Sequence, residues 1–366
     1  MVNTFTLILC LCLLIQLLYW HYLFLAIAKS SKKAGLTGLS TQKISLIICA
    51  HKDHSKLRDH LLAFLKQDHP NYRVLLIDNS PDSKLASAYE DLMLSFRHFE
   101  IHAPAEIRSK GKKHALKYAL QLCSGEDVMV SDADCYPGSS SWINEMHNVL
   151  IQESSDIVLG YSPYLITKKN FLNQWIHYEA LMTAISYVSF ALKKMPYMGV
   201  GRNTLYRKGL FDSRLLDQHA DIRSGDDDLT INALSERADI SICIKPEAHV
   251  FTWPSSSWKN YVRQKTRHYS TAHRYKFKHI LLLSLYSLSH FLFYILILSF
   301  LLNKFFILAL GFYLVRCLSL AYVYYKIRER LQAQLSLLKF ILFDFVHIFF
   351  YVFFVFPVLI PQKSKW

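Results

Sequence analysis

The sequence predicts an α/β domain on a mostly parallel sheet, flanked by transmembrane helices. Short apolar runs alternate with helical patterns between residues 41 and 250, giving a rhythm of strand, helix and strand. Long apolar stretches stand at either end. Acidic residues recur just past the apolar runs, where ligands of parallel sheets bind.

Residues 5 to 28 carry no charged side chain and, at about 1.5 Å rise per residue, are long enough to cross a bilayer. Ala26-Ile27-Ala28 has the small-residue form of a signal-peptidase site. A signal peptide, however, has a basic start and a shorter apolar core, and here Lys29, Lys32 and Lys33 follow the run. Residues 1–30 are therefore expected to form an uncleaved anchor, with those lysines holding the next domain in the cytoplasm. Ile44–Cys49 reads as the first strand, Leu57, Leu61, Leu62 and Leu65 as one face of a helix, and Tyr72–Ile77 as the second strand. Ala115–Leu120 has a helical pattern, and Asp127–Ser131 is the next buried strand. Units of this spacing give parallel neighbours with right-handed crossovers.

A second apolar block divides at Asn303-Lys304 and at Lys326–Arg330 into spans near 280–302, 305–325 and 338–360. Lys339, Asp344 and His347 lie within or beside the third, so two or three helices are expected. A re-entrant third segment would keep the basic tail from ending outside. The expected organisation is an anchor at 1–30, an α/β domain over 41–275 ending in an interfacial amphipathic segment, and a membrane region at 280–361.

Of the 366 residues, 52% are hydrophobic and 14% aromatic, high for a soluble protein, and the formal charge is +14. Lys and Arg are dispersed beside apolar runs rather than gathered on a recognition helix. That favours lipid headgroups and a phosphate-bearing substrate over nucleic acid. The seven cysteines form no CxxC pair and no metal-binding spacing, as expected for reduced packing residues.

Asp132 and Asp134 follow a buried strand with one small residue between them, so both carboxylates can turn to one space and hold Mn²⁺ or Mg²⁺. A turn rich in Asp is the plain alternative. Asp78 ends the second strand and Asp53 lies just past the first, where a carboxylate can bond a base or ribose, or form an Asx turn. Lys110-Gly111-Lys112-Lys113 precedes a helix, where cations and free N–H groups meet phosphate, although solvated charge clusters look the same. Asp226, Asp227 and Asp228 open a helical run; a helix cap accounts for one of these mutually repelling carboxylates and a general base for another. Trp258 to Tyr275 is basic and aromatic, the pattern of an interfacial helix, and Gln264 and Arg267 share one of its faces.

Asp78, Asp132-Ala133-Asp134, Gly225–Leu229 and Gln264-Lys265-Thr266-Arg267-His268, in this order, resemble the motifs of family 2 glycosyltransferases, the membrane-bound inverting group of GT-A fold. The likeness covers roughly residues 41–275. It implies a nucleoside-diphosphate sugar donor, a UDP-sugar first, with Asp53 and Asp78 near the nucleoside and Lys112 near the diphosphate. It implies that Asp134 ligates the metal beside Asp132, and that Gln264 and Arg267 meet diphosphate and acceptor. The family's base stands three residues before a Leu. Counting back from Leu229 gives Asp226, with Gly225 where the family has an acid, so Asp227 stays a rival.

Gly199–Asn203 is expected to be a loop lining the sugar pocket or a plain turn. His268 replaces the family's Trp, on which polymer-making members stack sugars inside a channel of more helices. The expected product is therefore one sugar, or a few, on a lipid-linked or glycan acceptor, in cell-envelope polysaccharide or glycolipid synthesis at the plasma (inner) membrane. A processive polysaccharide synthase and a catalytically silent membrane scaffold are the alternative readings.

Overall fold

Strands form where the sequence is apolar and β-branched. The computed structural model describes residues 2–30, 41–51, 56–82, 84–123, 125–222 and 224–355. Among these the strands are β1 (Ile44–Ala50), β2 (Tyr72–Asp78), β3 (Phe99–His102), β4 (Asp127–Asp132), β5 (Cys135–Pro137), β6 (Ile157–Gly160), β7 (Thr204–Tyr206), β8 (Ile240–Cys243) and β9 (Val250–Thr252). Seven of them make one sheet in the order β3-β2-β1-β4-β7-β6-β8, and β5 pairs with β9. The sheet is parallel except at β7, which runs antiparallel to both β4 and β6. From β1 the chain moves outward through β2 and β3, then returns to β4 on the other side of β1. That reversal is a switch point at the carboxyl ends of β1 and β4, the place where open parallel sheets take ligands.

The chain divides into two units. The first, Lys32–Thr167 with Lys194–Pro254, holds the strands. Its core joins Leu46 and Ile48 of β1 and Leu76 of β2 to Phe64 and Trp142 on helices Leu57–Leu65 and Trp142–Gln152. Each of these large side chains contributes about 1.5–3 kcal/mol by leaving water. The helix Leu57–Leu65 buries Leu57, Leu61, Phe64 and Leu65, the spacing of a single face.

The second unit is Met1–Ser31, Lys168–Lys193 and Ser255–Trp366. Among the described residues four of its helices are long and apolar enough to cross a membrane: Thr4–Lys29, Phe277–Leu302, Phe306–Arg328 and Leu337–Val355. Leu9, Leu13, Phe293, Ile297, Phe300 and Ile348 pack between them. Asp344, the residue that set the third predicted span apart, is fully enclosed within this unit. It accepts from Arg316 Nη1 at 2.5 Å and Nη2 at 3.1 Å and from the Tyr294 hydroxyl at 2.6 Å. Gln16 Oε1 accepts from Arg316 Nη2 at 3.2 Å. Lys339 stands exposed in the first turn of its helix, which Ser336 caps. The helices Phe171–Leu192 and Trp258–Tyr269 belong to the same unit and share a buried pair, Glu179 with Lys265.

Candidate active site

The parallel register brings two of the predicted carboxylates to one sheet edge. Asp78 pairs with Ala50 and Asp132 with Cys49, so they flank the end of β1 from either side. Asp78 is fully buried. Its Oδ1 accepts from the Ser80 N–H at 2.9 Å and the Ser80 hydroxyl at 2.5 Å, and its Oδ2 from the Leu85 N–H at 3.2 Å. Those bonds are of the kind an Asx turn makes. Asp53 lies outside the described residues.

Lys112 joins the central motifs. It opens the helix Lys112–Leu122, after Gly111 at φ +92°, a left-handed backbone that only glycine adopts without strain. Its Nζ lies 2.7 Å from Asp132 Oδ1 and 2.9 Å from Asp226 Oδ2. Burial opposes its charge, but Asp132, Asp226 and Asp227 outweigh burial and raise its pKa well above that of an ordinary lysine. The lysine thereby offsets the mutual repulsion of the acids it bridges.

The three consecutive acids have separate environments. Asp227 caps the helix Asp228–Leu234: its Oδ1 accepts from the Asp228 N–H at 2.9 Å, and its Oδ2 from the Gly201 N–H at 2.9 Å. A Cβ on Gly201 would sit 3.0 Å from the Asp227 side chain, so a larger residue would crowd that bond. Burial first, then Asp226 and Asp228, push the Asp227 carboxyl up to about 7, against the opposing pull of Lys112. Asp228 Oδ1 accepts from the Leu229 N–H at 2.9 Å. Asp226 is 12% exposed and carries the Lys112 contact.

Asp134 is exposed, and the buried Cys135 thiol donates to its Oδ1 at 3.4 Å. One ligand atom each from Asp132, Asp134 and Cys135 lie within 4.8 Å of one another. Hard carboxylate oxygens this close suit Mn²⁺ or Mg²⁺. Burial first, then Asp134 and Asp132, hold the Cys135 thiol well above its usual pKa, and these hard ions prefer the two carboxylates to a soft sulfur.

Gln264 and Arg267 belong to the other unit, on the helix Trp258–Tyr269, which Ser257 caps. Gln264 Oε1 accepts from the Ser255 hydroxyl at 3.1 Å, and Arg267 Nη2 lies 3.3 Å from His268 Nε2. The site brings in two further cations. Lys113 is buried and donates to the carbonyls of His219 at 2.6 Å and Ile222 at 2.9 Å, fastening the segment that leads to Asp226. Arg202 stands in the Gly199–Asn203 loop, its Nε donating to Ser162 Oγ at 2.6 Å.

The family model for "Glycosyltransferase like family 2" matches residues 41–271. A search of the curated proteins found no match. Among solved structures, the mannosyltransferase PcManGT from Pyrobaculum calidifontis, in complex with GDP-Man and Mn²⁺, is similar at a TM-score of 0.59 and 16% identity, covering 95% of this chain and 99% of that one. S. aureus TarS 1–349 in complex with UDP-GlcNAc gives a TM-score of 0.44 at 14% identity, covering 88% of this chain and 94% of that one. The family match, the mostly parallel sheet and the PcManGT likeness agree. The chain belongs to the glycosyltransferase-like family 2 and carries the GT-A fold.

Proposed function

We propose that this chain is a membrane-bound inverting glycosyltransferase that moves a sugar from a nucleoside-diphosphate sugar to a hydroxyl of a lipid-linked or glycan acceptor. The observation that carries the reading is Lys112, which gathers Asp132 and Asp226 within 2.9 Å of one ammonium at the carboxyl edge of the sheet. Metal-side carboxylates and a base candidate therefore share one place, as a displacement at a sugar carbon requires.

Asp226 is the proposed base. Both oxygens of its rival Asp227 accept from backbone N–H groups, which supports a capping role for that residue. In the reaction the acceptor oxygen attacks the anomeric carbon, the bond from that carbon to the diphosphate oxygen breaks, and the hydroxyl proton passes to Asp226. Displacement from the opposite face inverts the anomeric configuration. A divalent ion held by Asp132 and Asp134 would supply charge neutralisation for the leaving diphosphate. PcManGT was solved with GDP-Man and Mn²⁺, which supports a nucleotide sugar and a divalent ion here. Lys112 is assigned to the diphosphate, Asp53 and Asp78 to the nucleoside side, and Gln264 and Arg267, by the family pattern, to diphosphate and acceptor.

The organisation proposed is an anchor over residues 1–30, the transferase domain over 41–275 and a membrane region over 280–361. The four long apolar helices support insertion in a membrane, and Lys29 at the end of the first supports a catalytic domain on the cytoplasmic side of the plasma membrane. The test is a thermal-shift screen of UDP- and GDP-sugars against the purified full chain, with and without Mn²⁺. The expected result is a rise in unfolding temperature for one nucleotide class that requires the ion; no rise with any of them would sink the reading.

A further inference from the structure

We propose that Arg202 is a second anion seat of this site, its guanidinium taking phosphate oxygens of a substrate beside the Asp132–Asp134 pair. The proposal rests on the transferase reading given above.

The Gly201-Arg202 segment is stitched between the two acidic motifs. The Gly201 N–H donates to Asp227 Oδ2 at 2.9 Å, and the Arg202 carbonyl accepts from the hydroxyl of Ser131, the neighbour of Asp132, at 2.9 Å. The side chain is held just as firmly. Its Nε donates to Ser162 Oγ at 2.6 Å, its Nη2 to the Ser162 carbonyl at 3.3 Å, and its guanidinium lies 5.3 Å from the centre of the Tyr164 ring. Those anchors are fixed in turn: Ser162 Oγ donates to the Val250 carbonyl at 2.5 Å, and Tyr164 bridges to Thr252.

The guanidinium is therefore oriented by neutral groups, and among the described residues it makes no ion pair. Among the described residues Nη1 carries no hydrogen bond and is not enclosed, so one edge of the planar fork stays open. Lys112 differs, because its ammonium is engaged by Asp132 and Asp226. Burial opposes the charge on Arg202, yet Tyr164 and Cys135, and after them Asp132 and Asp134, keep its pKa above the ordinary value. A rigid, permanently charged fork with a free edge matches the oxygens of a phosphate, which a hydrated ammonium meets only as a point charge. The phosphate can belong to the donor diphosphate or to a phosphate on a lipid-linked acceptor. The bland alternative is that Arg202 only screens the two aspartates, in which case it affects the affinity for a metal and for nothing else.

The experiment measures binding to the detergent-solubilised full chain with three probes: Mn²⁺ alone, UDP or GDP with Mn²⁺, and a long-chain alkyl phosphate set against the matching alcohol. The variants are Arg202→Met, Arg202→Lys and Ser162→Ala. A tenfold to hundredfold weakening of one phosphate probe in Arg202→Met, partly recovered in Arg202→Lys and smaller in Ser162→Ala, is expected. The probe affected names the source: the nucleotide for the donor, the alkyl phosphate for the acceptor. Native affinity for both phosphate probes in Arg202→Met, or a change confined to Mn²⁺ alone, overturns the proposal. If Arg202→Met does not fold, the same two outcomes are read from the other variants. A native protein that ignores nucleotides but binds the alkyl phosphate through Arg202 would refute the donor reading and keep this one; binding of neither refutes both.

Discussion

Each unit holds an ion cluster, and the two differ in how far they are enclosed. Arg316 and Asp344 are fully enclosed, bonded through two nitrogens and both carboxylate oxygens, with Tyr294, Gln16 and His290 beside them. Lys112, Asp132 and Asp226 stand at a sheet edge with side-chain exposures of 29%, 31% and 12%, one ammonium shared between two carboxylates. The enclosed pair links two helices, and the buried His290 Nε2 also lies 3.3 Å from Asp344 Oδ2, so these charges are met inside the unit. A shared, partly exposed ammonium can be redistributed when a phosphate or a metal arrives.

The contrast breaks most visibly at Asp344. Asp344→Leu leaves Arg316 enclosed without its partner and is expected to cost about 3–5 kcal/mol, whereas Arg316→Leu with Asp344→Leu should recover most of that loss. Thermal unfolding of the native protein and these two purified variants checks it; a double variant as unstable as the single would remove the ion pair as the cause. At the open cluster, Asp134→Ala is expected to weaken Mn²⁺-dependent nucleotide binding about a hundredfold while leaving the unliganded unfolding temperature unchanged. Calorimetric titration with and without Mn²⁺ reads this directly.

A smaller effect should appear as pH dependence. Because the folded protein raises Asp227 to about 7, that carboxyl keeps its proton between about pH 4 and 7 while the unfolded chain releases it. Its contribution to stability is thus full below about pH 4 and is lost as pH rises through about 7. Asp227→Asn should flatten the unfolding temperature across that window, and a profile parallel to the native one would contradict the assignment. The smallest change is expected for Asp78→Asn. The amide can still accept from Ser80 but meets the Leu85 N–H less well, a loss of about 1 kcal/mol. Nucleotide affinity falling more than about tenfold in that variant would point to direct contact with the donor.

Much of the sheet was legible in the sequence. Ile44–Cys49, Tyr72–Ile77 and Asp127–Ser131 are largely apolar runs, and each became a strand within a residue or so of its expected limits. Strands β6, β7 and β8 were not legible, because three or four residues carry too little periodicity, and nothing local announces that β7 runs antiparallel. The helix Phe171–Leu192 was missed for the opposite reason: it is apolar around most of its circumference, so no single face stands out.

Asp344 looked out of place in a membrane span because its partner, Arg316, lies on a different helix, and sequence distance hides such pairs. In the site, the order of the acidic motifs was legible, and so was a cation at Lys112. That the cation would touch both motifs was not, since only the fold brings residue 112 between residues 132 and 226. Arg202 was visible only as part of a glycine-containing loop, because its anchors at Ser162 and Tyr164 come from another segment.

The most direct test compares Asp226→Asn with Asp227→Asn in the purified full chain, measuring donor binding and sugar transfer together. Asp226→Asn is expected to bind donor as the native protein does and to lose transfer by about 10²–10⁴-fold, while Asp227→Asn keeps more activity and shows its loss mainly in stability. Native transfer rates in Asp226→Asn, with Asp227→Asn inactive but stably folded, would move the base to Asp227 and contradict the account.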